Sequence, residues 1–366
     1  MNCDVVEFAT AGVKGLVPYQ PGMPIEELQR ELGLSEIIKL ASNESPLGPA
    51  PAALEAARHA LLDIARYPDG NGFTLKARLS EVVGVTPEQI SLGNGSNDVL
   101  EFVARAFAGP GSEIVFSEHA FVVYSLVAAL VGAKAVSVPA HDYGHDLDAM
   151  LKAITSNTRV VYIANPNNPT GTWVNGNALA AFIAAVPSDV LVVVDEAYRE
   201  YVDNDGYPDC VAWLEERANL VVTRTFSKAY GLAGLRVGYS VSHPQIADLL
   251  NRIRQPFNVN SVALAAAQAA LCDTAHLQQA IQLNREGLAY LEAQFNRLRV
   301  PFIPSIGNFI SFQLPSDAAP VYQALLREGV IVRPIGAYGM PHHLRVSVGL
   351  ATENQRFVQA LERVLN

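Results

Sequence analysis

The sequence predicts an α/β protein: a large unit with a mainly parallel sheet between helices, followed by a smaller α+β unit. From about residue 36 to 250, short apolar runs alternate with segments of helical periodicity, the pattern of a sheet covered by helices on both faces. Four polar or glycine-bearing clusters stand at the ends of such runs or just before helices, on the edge where these sheets collect ligands. Beyond residue 250 the rhythm changes to one long helical stretch and then well-separated strands and helices.

Taken in order, residues 1–35 carry "VPYQPGMP" and little periodicity until "IEELQREL", which predicts an extended arm and one short helix. In the large unit, 36–250, "SEIVFS", "KAVSVPA", "TRVVYIANP", "DVLVVVDEAY" and "NLVVTRTF" predict strands. Between them, "FVVYSLVAALVG", "DLDAMLKAI" and "GNALAAFIAAV" predict helices. In the small unit, 251–366, the long helix "AHLQQAIQLNREGLAYLEAQFNRL" precedes "NFISFQL", the helix "APVYQALLREG", then "VIVRP", "HLRVSVG" and a final helix.

Composition narrows the function. Of 366 residues, half are apolar and 17% are charged, which suits a well-buried enzyme and not a disordered chain. A formal net charge of −10 argues against a nucleic-acid partner. Cys3, Cys210 and Cys272 lie far apart and form no CxxC pair or disulfide framework, so a reducing cytoplasm is expected. The N-terminal "MNCDVVEFATAGVKGLVPYQPG" has no apolar core of signal-peptide length, and no run approaches the roughly 18 apolar residues that would span a membrane.

The four clusters each allow a structural or a chemical interpretation. In "SLGNGSNDVLEFVARAF", Gly93, Gly95 and Ser96 open a helix whose free N–H groups could seat a phosphate, or they form only a turn. "IANPNNPTG" brings Asn165, Asn167 and Asn168 to a strand end and also reads as a turn-rich loop. "VVVDEAY" presents Asp195 and Tyr198; an Asp there could equally cap a helix or bind Mg²⁺, although no G-x-x-x-x-G-K-[ST] accompanies it. "TRTFSKAYGLAGLRVGY" places Lys228 where a strand gives way to a loop, among hydroxyls and near Arg236, or leaves it simply solvated.

Their joint order, with "IIKLASNESPLGP", "RYPDG", "VIVRP" and "LRVSVG", resembles the fold-type I pyridoxal-phosphate enzymes, aminotransferase class I/II, over nearly the whole chain. More narrowly it is similar to the histidinol-phosphate aminotransferases. The resemblance implies pyridoxal 5'-phosphate as cofactor and no metal. It makes Lys228 the Schiff-base lysine and then the general base; a neighbouring cation and burial lower an amine's pKa and free its nucleophilic form. It makes Asp195 the partner of the pyridine nitrogen, and Asn168 and Tyr198 the pair on the phenolic oxygen. Ser227 and Arg236, with the amides of Gly95, Ser96 and Asn97 and with Thr225 beside them, would bind the phosphate. Phe121 would stack on the ring, or be a core residue. Tyr67 would reach the phosphate of a neighbouring subunit, which implies a homodimer.

For the substrate, the resemblance implies that Arg345 binds the anionic end, with Arg333 as a second cation or a salt-bridge partner, and with Tyr19 and Asn43 in the pocket wall. The implied reaction converts L-histidinol phosphate and 2-oxoglutarate to imidazole acetol phosphate and glutamate. Three alternatives stand beside it. They are an aromatic amino-acid aminotransferase on the same scaffold, a lyase such as a threonine-phosphate decarboxylase, and a ligand-sensing regulator, which the short, non-basic arm disfavours.

Overall fold

The computed structural model describes residues 4–18 and 22–365. A two-residue strand, β1 (Ile38–Lys39), precedes the seven strands of the large sheet. These are β2 (Ile90–Gly93), β3 (Glu113–Ser117), β4 (Lys134–Val138), β5 (Thr158–Ala164), β6 (Leu191–Asp195), β7 (Leu220–Thr225) and β8 (Gly238–Ser242). Their order across the sheet is β2-β8-β7-β6-β5-β3-β4, and only β8 runs antiparallel to its neighbours. The expected mainly parallel sheet is therefore present. Neither β2 nor β8 is legible as a strand in the sequence, because "ISLG" and "GYSVS" are short and rich in Gly and Ser.

The central strands are buried on both faces, as their unbroken Val and Ile runs require. Alternation decides which layer each side chain joins. Val161, Ile163, Val192 and Val194 face one layer of helices, while Val160, Tyr162, Val193 and Val221 face the other. At the sheet edge, β4 is largely exposed and begins with Lys134, a charge that discourages pairing with another strand.

The C-terminal sheet holds β9 (Phe302–Ile303), β10 (Phe309–Gln313), β12 (Arg333–Pro334) and β13 (His343–Ser347), in the order β12-β13-β10-β9. Phe295, Phe312 and Phe357 pack at the centre of its core. A further strand, β11 (Val330–Ile331), pairs in parallel with β1. That pairing draws Leu40 into the C-terminal core and carries Ala41, Ser42 and Asn43 across the mouth of the large sheet. The arm contains the expected helix, Ile25–Leu32, and two helical turns, Val5–Phe8 and Ala11–Lys14.

The carboxyl ends of β2, β5, β6 and β7 lie on one edge of the sheet. The entry of β8 brings it hard against the helix Ser96–Phe107: a Cβ on Gly238 would lie 2.4 Å from the Ser96 amide nitrogen. Only glycine permits that approach.

Candidate active site

A cavity of about 210 Å³ opens at this edge, between the large sheet and the C-terminal strands. From the large sheet it takes Ser96, Asn97, Phe121, Asn168, Asp195, Tyr198, Thr225, Ser227, Lys228 and Arg236. Asn43, Arg333 and Arg345 close it from the other side. Gly95 adjoins the cavity with φ at +87°, and a Cβ there would fall 2.4 Å from an Arg236 Nη, so glycine lets the guanidinium pass over the helix start. Tyr67 is not brought in. It is 82% exposed and stacks on Phe257 at 4.6 Å between ring centroids. Tyr19 lies outside the described residues.

Lys228 follows β7 and donates from Nζ to the Ser42 carbonyl at 3.1 Å. Burial, with the nearby Arg345 and Arg236 charges, brings its pKa down to about 8, although Glu44 and Asp195 oppose the shift. Its amine is thus far easier to deprotonate than a solvated lysine. Tyr198 lies beneath it, with Nζ 5.7 Å from the ring centroid. Burial pushes Tyr198 up to about 12, so its phenol keeps its proton at neutral pH. The Asn43 side-chain amide donates to the Tyr198 hydroxyl at 3.0 Å, and the Ser347 hydroxyl donates to Asn43 Oδ1 at 3.0 Å.

Asp195 ends β6. Burial raises its pKa to about 6, while hydroxyls from Tyr124 and Thr223, each 3.1 Å from a separate carboxylate oxygen, hold it down. Arg236 donates to Ser227 Oγ at 3.3 Å and to the Ala233 carbonyl at 3.0 Å. The Ser227 amide in turn reaches Thr225 Oγ1 at 3.1 Å. Arg345 is buried; it donates to the Asn168 side-chain oxygen and, at 2.8 Å, to the Ala41 carbonyl.

The motifs do not announce the wall residues Gly22, Ser42 and Tyr338, nor Tyr124 and Thr223, the two donors to Asp195 that lie behind the wall. Thr223 had a signal, since it alternates onto the same face of β7 as Thr225. Tyr124 had a weaker one, three residues after Phe121 in an apolar run that otherwise reads as core. Ser42 acts through its main chain, which no side-chain motif announces.

Lys228, Arg236, Arg333 and Arg345 line the cavity against one carboxylate, Asp195, so the space suits a ligand with more than one negative charge. An amine of lowered basicity suits attack on a carbonyl. The free start of a helix, a serine and a guanidinium suit a phosphate. The site's chemistry therefore fits a phosphorylated aldehyde cofactor. Among the described residues no cluster of His, Cys, Asp and Glu is placed to hold a metal ion.

This geometry defines an enzyme of carbonyl–amine chemistry on a mainly parallel sheet. Residues 35–361 match the family model of aminotransferase class I and II, and the chain belongs to that family. It is 59% identical to histidinol-phosphate aminotransferase 2 of Pseudomonas fluorescens strain Pf0-1, over 100% of this chain and 99% of that one. It is 56% identical to histidinol-phosphate aminotransferase 1 of Nitrosococcus oceani, over 98% and 97%. Among solved structures, histidinol-phosphate aminotransferase from Sinorhizobium meliloti in complex with pyridoxal-5'-phosphate superposes with a TM-score of 0.90 at 31% identity, covering 98% of this chain and 97% of that one.

Proposed function

We infer that this chain is a pyridoxal-5'-phosphate-dependent aminotransferase of histidine biosynthesis. It converts L-histidinol phosphate and 2-oxoglutarate to imidazole acetol phosphate and L-glutamate. The observation that carries this reading is the gathering of Lys228, at a pKa of about 8, with Arg236, Arg333 and Arg345 in one cavity. Full-length relatives that share more than half their residues with this chain carry the same activity in their names.

The cofactor, when bound, supplies an electron sink and a carrier for the amino group. Lys228 would hold the cofactor covalently and, once displaced, take the proton from the amine-bearing carbon of the donor. Asp195 would keep the ring nitrogen protonated, with Phe121 packing on the ring face. Asn168 and Tyr198 would hydrogen-bond the ring oxygen. Ser227, Arg236, Thr225 and the amides of Gly95, Ser96 and Asn97 would hold the phosphate. Arg345 and Arg333, with Asn43 and Tyr19, would orient the substrate anion.

We propose a homodimer in the cytoplasm. Tyr67 stacks on the partly exposed Phe257, and Leu62 and Phe73 are also exposed, apolar area that a second copy would cover. Cys210 and Cys272 are free thiols, as a reducing compartment allows. We propose a division into an arm of residues 1–35, a large unit of 36–250 and a small unit of 251–366; the two separate sheets support it, while the pairing of β1 with β11 and the packing of Val259, Ala263 and Leu264 in the large core run across it.

An amino-donor panel with 2-oxoglutarate, read by glutamate release, tests the function. Histidinol phosphate should be the best donor. Carbon dioxide release without a need for 2-oxoglutarate would instead mark a lyase.

A further inference from the structure

Asp195 accepts two side-chain hydrogen bonds that no motif in the sequence announces. The Tyr124 hydroxyl donates to Oδ2 and the Thr223 hydroxyl to Oδ1, each at 3.1 Å. The Tyr124 ring is fully buried and held on several sides. It stacks on Tyr162 at 4.7 Å with an interplanar angle of 3°, and meets Phe121 edge-on at 6.0 Å. Tyr162 is itself fastened by donating to the Leu100 carbonyl at 2.7 Å. With its ring fixed in this way, the Tyr124 hydroxyl is aimed at one place, the far side of the Asp195 carboxylate. Tyr124 does not line the cavity, although its neighbours Phe121 and Asp195 do.

We propose that Tyr124 is a positioning residue for transamination, holding Asp195 ionised and oriented so that the proton stays on the ring nitrogen of the cofactor. The proposal rests on the reading of Asp195 as the partner of that nitrogen. A carboxylate in a dry site tends to take up a proton, and then it can no longer retain one on a nearby base. Donors to its two oxygens favour the charged form. The groups facing Asp195 are Tyr124 from the helix Val123–Leu130, Thr223 from β7 and the Ala197 amide, with the charge of Glu196 working against them. Phenylalanine would fill the Tyr124 site equally well, so the hydroxyl and not the ring carries the effect. Burial also pushes the Tyr124 phenol far above its ordinary pKa, which keeps it a donor.

The test uses holoenzyme loaded with ¹⁵N-labelled pyridoxal phosphate. The ring-nitrogen resonance is compared in wild type, Tyr124→Phe and Asp195→Asn, with thermal melting to check folding. Asp195→Asn should move the resonance toward unprotonated pyridine, and Tyr124→Phe should move it part of the way. Tyr124→Phe should also lower the single-turnover rate about tenfold with little change in KM, the scale of one hydrogen bond to a charged group. If Tyr124→Phe does not fold, 4-aminophenylalanine at position 124, a weaker donor of similar shape, should give a smaller shift of the same sign. A resonance that moves in Asp195→Asn but not in a folded position-124 variant overturns the proposal and leaves the role of Asp195 standing. A resonance unmoved in Asp195→Asn removes that role and the proposal with it.

Discussion

Arg333 and Arg345 stand directly opposite each other on the antiparallel strands β12 and β13, and both line the cavity. Like charges facing each other across a strand pair repel, and a shared anion between them offsets that cost.

The two arginines should therefore fail differently. Removing one partner of a buried charge contact costs about 2–5 kcal/mol. Arg345 also holds the Asn168 side chain and the Ala41 carbonyl, so Arg345→Ala should weaken both half-reactions and loosen the cofactor. Arg333→Ala should weaken histidinol phosphate more than glutamate, because a phosphate offers more charge and more acceptor oxygens. Single-turnover rates with both donors, and the cofactor dissociation constant, check the split. Equal losses for the two donors in Arg333→Ala would remove its assignment to the phosphate ester.

Lys228 gives a pH dependence of definite sign. Its folded pKa of about 8 lies below the ordinary 10.5, so the neutral amine accumulates as pH rises through about 8. The rate at which apoprotein recombines with pyridoxal phosphate should rise with pH and level off above that value. Burial is the largest cause of the shift and the Arg345 charge the next. Arg345→Gln should accordingly move the midpoint upward while leaving it below 10.5. A wild-type midpoint near 10.5 would show that the site does not activate the amine.

Tyr67 is exposed and stacked on Phe257, outside the cavity of its own chain, and the proposed homodimer would let it serve the other subunit. Mixing Tyr67→Phe protein with Lys228→Ala protein should form heterodimers in which one site has both an intact lysine and an intact tyrosine. Activity should then exceed that of either parent, to about a quarter of wild type if the subunits assort at random and each site acts alone. No recovery, with heterodimers verified by mass, would place Tyr67 outside the site.

The large sheet was legible because its strands are unbroken apolar runs, and the site because polar residues at Asp195 and Lys228 interrupt such runs where packing has no use for them. Other features left little trace. A tyrosine in an apolar helical run looks like core, which hid the bond from Tyr124 to Asp195. Ser42 contributes a carbonyl that every residue possesses. The pairing of β1 with β11 joins segments distant in the chain, and two-residue strands carry no periodicity. Tyr67 resembled a phosphate ligand, yet within one chain it faces outward, so its role depends on an assembly that local pattern does not describe.

Behind the site, Arg224 grips Glu196 through Nε and an η nitrogen, both at 2.8 Å, with the pair almost wholly buried. Arg224→Met should leave the Glu196 carboxylate with only the longer Arg199 contact, at 3.6 Å, and cost about 3–5 kcal/mol of stability. Replacing both residues together by Met and Gln should restore a large part of that loss, because the Glu196 charge is then removed along with its main partner. Urea unfolding of the single and double variants measures the difference. Strictly additive losses would show that the two charges do not depend on each other.

The substrate prediction rests on how one pocket serves two anions. Histidinol phosphate has no α-carboxylate, and its phosphate lies close to the amine-bearing carbon; glutamate, formed in the other half-reaction, brings an α-carboxylate to a comparable place. Arg345, fixed by Asn168 and Ala41, can receive either anion, and Arg333 opposite it adds the charge that a phosphate exploits. Phenylalanine offers a carboxylate but no second negative charge, so it leaves the repulsion between the two arginines less well compensated. Single-turnover measurements should rank histidinol phosphate above phenylalanine by at least about tenfold in efficiency, a preference of about 1.4 kcal/mol. In Arg333→Ala the gap should narrow, with phenylalanine losing less. If wild type used phenylalanine more efficiently, the substrate would be an aromatic amino acid, while the fold and the place of Lys228 in the cavity would be unchanged.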